Sequence, residues 1–211
     1  MKDKRHAAIE SLLQAEAPGA ALLAAVRRRE AWLPPFLADA DTIPAGPAPY
    51  HSGTVLAHTA RCMDAVAGDT LAVWMALGHD AGKLTTPRAL WPHHYGHESR
   101  GRRLVAVWAR HLGLSDKYTR AGILAARLHM KAGRYARLRP GKKFDLLHEV
   151  AASGFFVAFW KVVDADTKSS ISETAWRDWQ QIRTNPNATR MEEKTRQKGI
   201  SLLKLAYAKE W

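Results

Sequence analysis

Six residues stand on apolar helical faces or at helix ends where packing groups are the usual occupants: His58, His79, Asp80, His97, His129 and Asp166. They come from five separate segments. Imidazole and carboxylate together suit nickel, manganese, cobalt, iron or zinc, and carboxylate with water suits harder ions such as magnesium. The sharpest case is "ALGHDAGK", residues 76–83, where an apolar run ends in adjacent His79 and Asp80, followed by a glycine and a lysine. An unpaired buried carboxylate is costly and neutralises or takes a cation, so the stretch is either an exposed helix end or part of a site. Neighbours on an ideal helix point about 100° apart, but at a helix end both can reach one ion. The single cysteine, Cys62, excludes an intramolecular disulfide and any zinc site built from cysteine pairs. A metal here is therefore expected on histidines and carboxylates.

The elements that must position these residues read as helices, with no sustained alternating strand pattern. From Thr54 to Ala67, Val55, Thr59, Cys62 and Val66 share a face, with His58 beside it. A second helix is expected from about Leu71 to Ala81, with Trp74 and Leu77 inward and Gly82 as its stop. The prolines of "KLTTPRALWPHHYG" forbid a continuous helix there. Helix resumes from His97 to Leu112, with Leu104, Trp108 and His111 or Leu112 on one side. Ser115 and Asp116 open another, to about Met130, whose Gly122, Ala125 and His129 share a face. "AGRYARLRPGKK" reads as a basic connection. The apolar stretch "FDLLHEVAASGFFVAFWKVVDAD" then repeats Phe155, Phe159, Val162 and Asp166 at helical spacing and is expected as a central helix. Beyond Trp176, "TNPNAT" reads as a turn between two further helices, and "LLKLAYAKEW" as a packing helix or a partner surface.

The 211 residues, 46% hydrophobic and 25% charged, suit one packed domain with a real core. All apolar runs stop well short of the roughly 18 residues of a membrane span, and the N-terminus has no hydrophobic signal core. A soluble, cytoplasmic protein without a membrane partner is expected. The net charge of +12 and pI near 10.1 fit an anionic partner such as nucleic acid or a phosphorylated substrate. They fit equally a solvated surface, since the basic residues are spread without a dominant tract.

"LAHTA", then "LGHDAGK" 21 residues on, then "GHE", "LHM" and "VDAD" resemble the HD-domain phosphohydrolase superfamily. "YHSGTVLAHT", "HDAGKLTTPRALWPHHYGHE" and "DADTKS" are similar to one branch of it, the C-terminal HD domain of bacterial tRNA nucleotidyltransferases, the CCA-adding enzymes. The resemblance covers about residues 30–170. It implies an all-α, single-domain helical bundle over 1–211, with an HD core at about 30–170 and a helical C-terminal extension at about 171–211. No Gly-Ser loop followed by paired aspartates is present, so a free-standing phosphohydrolase part without CCA addition is expected. The resemblance also implies His58, His79, Asp80 and Asp166 as ligands of a first metal, with Asp164 the rival to Asp166. It makes His97 and His129 ligands of a second metal or phosphate contacts. The "RGR" that usually follows "DADTKS" is lacking, which puts the substrate contacts of that arginine pair in question.

The implied chemistry is metal-assisted hydrolysis of a phosphoester, in which the cation activates water and stabilises charge on phosphoryl oxygens. Asp80 both ligates and orients the water, and Lys83 adds a positive charge or merely caps a helix end. His94, Arg88 and Arg102 are candidate substrate contacts at the rim, with a solvated face as the alternative. The expected substrates are nucleotide or RNA-terminal phosphoesters: a 2',3'-cyclic phosphodiester, a 2'-phosphate or a phosphomonoester. The expected partners are thus a phosphorylated small molecule, a nucleotide or an RNA end, tRNA included. The alternatives are an RNA- or tRNA-binding module, or a nucleotide sensor that turns over nothing.

Overall fold

A computed structural model describes residues 2–49 and 52–184, together with 197, 200, 201 and 203. Among them the regular elements are helices, as the periodicity predicts. The chain divides into two compact units, 1–130 and 131–211.

The first unit holds α1 (Lys2–Leu13), α2 (Pro18–Arg27), α3 (Val55–Ala65), α4 (Thr70–Gly78), α5 (His97–His111) and most of α6 (Asp116–Ala132). Two helices begin on side-chain N-caps: the Thr54 hydroxyl accepts from Ala57 N and the Asp69 carboxylate from Ala72 N, each satisfying a donor the first turn cannot. α4 is apolar all round and buried from Ala72 to Gly78, which is the pattern of a helix enclosed by others. Trp74, Trp108, Met63, Met75 and Leu112 are among the side chains that fill the core. Trp74 also donates its indole N–H to Tyr118 O at 2.7 Å. On α5 it is Leu112, and not the exposed His111, that turns inward.

The expected end of the second helix at Gly82 is corrected. α4 stops at Gly78, His79 is its C-cap, and residues Ala81–Thr85 form a 3-10 turn. Gly82 has another role: a Cβ there would stand 1.9 Å from His97 O and 2.6 Å from Gly101 N. The missing side chain lets the turn press against the backbone of α5.

The second unit holds α7 (Pro140–Ala152), α8 (Phe156–Thr167) and α9 (Ile171–Arg183). The apolar stretch expected as one central helix is two, because Gly154 adopts φ +77° between α7 and α8 and the Ser153 hydroxyl, donating to Val150 O and accepting from Phe155 N, closes the break. The segment read as a basic connection contributes to the core: Tyr135 is buried, donates to Asp178 Oδ2 at 2.6 Å, and meets Trp160 edge-on. Beyond Thr184, the expected turn of "TNPNAT" lies outside the described residues, as does residue 202 and the segment 204–211 of "LLKLAYAKEW".

Candidate metal centre

Asp80 leaves the end of α4 just after His79, with its carboxylate buried between two pairs of histidines. Oδ2 stands 3.4 Å from Nε2 of both His58 and His79, whose own Nε2 atoms are 3.1 Å apart. Oδ1 stands 3.4 Å from Nε2 of His97 and 3.3 Å from Nε2 of His129, which are 3.2 Å apart. One carboxylate thus shares two triangles of donor atoms, one per oxygen.

The ring orientations are fixed from behind. His79 Nδ1 donates to Ala76 O at 2.7 Å, His97 Nδ1 to His94 O at 2.9 Å, and His129 Nδ1 to Ala125 O at 3.1 Å. Each bond puts the proton on Nδ1 and turns the Nε2 lone pair toward Asp80, the arrangement metal-ligating histidines adopt. His58 differs, because Arg61 Nη2 faces its Nδ1 at 3.2 Å.

The donor set fits a metal. Oδ1 of Asp80 is buried without a hydrogen-bond partner, a costly state for a carboxylate oxygen that a cation relieves. Each triangle, with sides between 3.1 and 3.4 Å, has its corners about 1.9 Å from its centre. An ion slightly out of that plane meets three donors at the roughly 2.0–2.2 Å of zinc–nitrogen and zinc–oxygen bonds. This buried group of histidines and aspartate can hold a metal ion.

The electrostatics point the same way. Burial pushes the Asp80 carboxyl up, but the Lys83 ammonium and the His79 ring outweigh it and hold the group well below the ordinary carboxylate range. Burial lowers His97 to about 4, with His129 adding to the effect and Asp80 opposing it. Asp80 is charged and His97 neutral at physiological pH, the protonation states that ligands need.

Comparison with known proteins gives a partial match. The chain is similar to proteins named Multifunctional CCA protein. It is 31% identical to that of Legionella pneumophila (strain Lens) over 125 residues, 58% of this chain and 30% of the relative. It is 38% identical to that of Nitrosococcus oceani over 98 residues, 45% and 24% of the two chains. With that of Xylella fastidiosa (strain M23) it shares 36% over 85 residues, 40% and 20%. The chain therefore spans a third or less of these relatives' length. No family model and no solved structure matches it.

Other candidate site residues are placed differently from expectation. Lys83 is not at an exposed helix end. It is buried, with Nζ 2.7 Å from Asp80 Oδ2 and 2.8 Å from Ala45 O. His94, a candidate substrate contact with an exposed loop position as the alternative, is buried, with Nε2 donating to Pro44 O at 2.8 Å and Nδ1 accepting from the Thr86 hydroxyl at 2.9 Å. Both ring nitrogens are spent on tying loops together. Arg100 joins that clasp, donating to Thr86 Oγ1, Tyr95 O and Gly82 O. Arg88 and Arg102 are exposed, with the Arg88 guanidinium 6.0 Å from the Trp91 ring centre.

Asp166 lies on α8 in the second unit, half-buried, and its rival Asp164 accepts from Ser172 N at 2.9 Å at the start of α9. A residue passed over in the sequence also reaches the centre. The Cys62 sulfur is buried 3.7 Å from His58 Nε2. Its position four residues after His58 on one helix was the available signal, since residues at that spacing share a face.

Proposed function

We propose that this chain is a metal-dependent phosphohydrolase, cytoplasmic, acting on nucleotide or RNA-terminal phosphoesters. The candidates are a 2',3'-cyclic phosphodiester, a 2'-phosphate or a phosphomonoester. The observation that carries the reading is the Asp80 carboxylate shared between two histidine pairs, an arrangement suited to two cations side by side. Bound there, divalent metal supplies Lewis acidity toward a phosphoryl oxygen and lowers the pKa of water to the neutral range.

The chain's own residues prepare that chemistry. His58 and His79 hold one position, His97 and His129 the other, and Asp80 joins them. Asp166 is the distal carboxylate of the first position in this reading, supported by the family resemblance and by the engagement of Asp164 with Ser172. Lys83 keeps Asp80 ionised and oriented by its contacts with Oδ2 and Ala45 O. The burial of His79, His97, His129 and Asp80 keeps bulk water from competing and strengthens charge interactions in the site. The likeness to proteins named Multifunctional CCA protein and the net charge of +12 support an RNA end, that of tRNA included, over a neutral substrate.

The test is hydrolysis of a 2',3'-cyclic nucleotide, a 2'-phosphate and a generic phosphomonoester by metal-stripped protein resupplied with nickel, manganese, cobalt or magnesium. Turnover that returns with metal and is absent in Asp80→Ala is the expected result. No turnover by folded, metal-loaded protein on any member sinks the hydrolase reading.

A further inference from the structure

Cys62 and His58 sit four residues apart on α3, so their side chains leave the helix on the same side. The sulfur is fully buried, yet it does not face only methyl groups. It stands 3.7 Å from His58 Nε2, and Cys62 Sγ and one ring nitrogen each of His58 and His79 all lie within 4.8 Å of one another. Arg61 Nη2, which faces His58 Nδ1 at 3.2 Å, also approaches the sulfur at 3.5 Å.

We propose that Cys62 is a sulfur ligand of the metal held by His58 and His79. The inference rests on the metal reading above. A metal–sulfur bond of about 2.3 Å is longer than a metal–nitrogen bond of about 2.05 Å, and in a tetrahedral site the two donors then stand roughly 3.5 Å apart. That accounts for the sulfur lying farther from His58 Nε2 than His79 Nε2 or Asp80 Oδ2 does, at 3.1 and 3.4 Å. The same position holds Asp80 Oδ2, 3.4 Å from Nε2 of both His58 and His79, while the carboxylate's other oxygen, Oδ1, faces His97 and His129 and is buried without a hydrogen-bond partner. On coordination the thiol gives its proton to solvent and binds as thiolate.

The consequence is an unequal pair of positions. Among the described residues, the His58–His79 side has a soft donor and the His97–His129 side has none. Soft thiolate favours zinc, cobalt or iron over magnesium and manganese. The first position is thereby tuned to a softer ion than the second.

The experiment is cobalt(II) titration of the metal-stripped full chain, read by absorption. The expected result is visible ligand-field bands accompanied by a near-ultraviolet thiolate-to-cobalt charge-transfer band, the latter missing in both Cys62→Ser and Cys62→Ala. Zinc affinity at the first position should fall at least tenfold or so in the variants, the lower limit for losing even an outer-shell partner. Visible bands without charge transfer in the unmutated protein overturn the sulfur ligand while leaving the metal centre standing. No cobalt spectrum at all overturns both. The unmutated spectrum decides the matter even if a variant fails to fold.

Discussion

The Lys83 ammonium lies 2.7 Å from Asp80 Oδ2, with both side chains buried. Breaking a buried pair by removing one partner costs about 3–5 kcal/mol, because the other charge is left uncompensated. Lys83→Met should therefore lower the stability of metal-stripped protein by that order, measured by urea unfolding. Divalent metal supplies the missing counter-charge, so its addition should raise the melting temperature more in Lys83→Met than in the unmutated chain. An equal or smaller rise would show that Lys83 and the metal do not answer the same carboxylate.

The two triangles predict a stoichiometry. Elemental analysis of the loaded protein should give two ions per chain, and about one in His97→Ala or His129→Ala, since each histidine serves a single triangle. Asp80→Ala should lose both, because its two oxygens face different pairs. One ion retained at full affinity in Asp80→Ala would remove the shared carboxylate from the account.

Gly82 is expected to tolerate nothing larger. A methyl group would meet backbone atoms of His97 and Gly101 rather than the flexible end of a side chain, so either the turn or α5 must move. Overpacking of this kind costs typically 1–3 kcal/mol or more. Gly82→Ala should show both a lower melting temperature and weakened metal binding through displacement of His97. A variant with unchanged metal affinity would mean that the 3-10 turn and α5 can part without disturbing the centre.

Acid should destabilise the metal-stripped protein in two steps. His97 takes a proton near 6.5 in the unfolded chain but only at about 4 in the folded one. The unfolded state then binds more protons between those values, and stability is full above pH 6.5 and lost as pH falls through the window. The size is on the order of 3 kcal/mol. Asp80, held well below its ordinary 3.8, adds a further loss below that pH in the same direction. Urea midpoints between about pH 7.5 and 4 check the His97 step, acid unfolding below pH 3.8 checks the Asp80 step, and His97→Gln should flatten the first. A flat profile in the unmutated chain would contradict the burial of a neutral His97.

Helix boundaries show what local chemistry specifies. Thr54 and Asp69 cap α3 and α4 with their own side chains, and the span of α5 follows from the apolar spacing around Trp108. The break between α7 and α8 was less legible. Periodicity runs through Ser153 and Gly154, and the left-handed backbone at Gly154 becomes visible only where the chain turns. His94 misled for a related reason: a histidine among prolines looks solvent-exposed until Pro44 O and Thr86 Oγ1, 50 and 8 residues away, are seen to occupy both of its nitrogens.

The sequence by itself determined an all-helical chain and a set of imidazoles and carboxylates of the types that bind divalent metal, because helical period and donor chemistry are local properties of residues. Only the tertiary structure decided that Asp80 turns one oxygen to each histidine pair, that Lys83 is spent inside on that carboxylate, and that His79 comes within reach of both His58 and Cys62. Those facts depend on where α3, α4, α5 and α6 come to lie. Packing sets that, through contacts such as Gly82 against the α5 backbone, and spacing along the chain does not encode it.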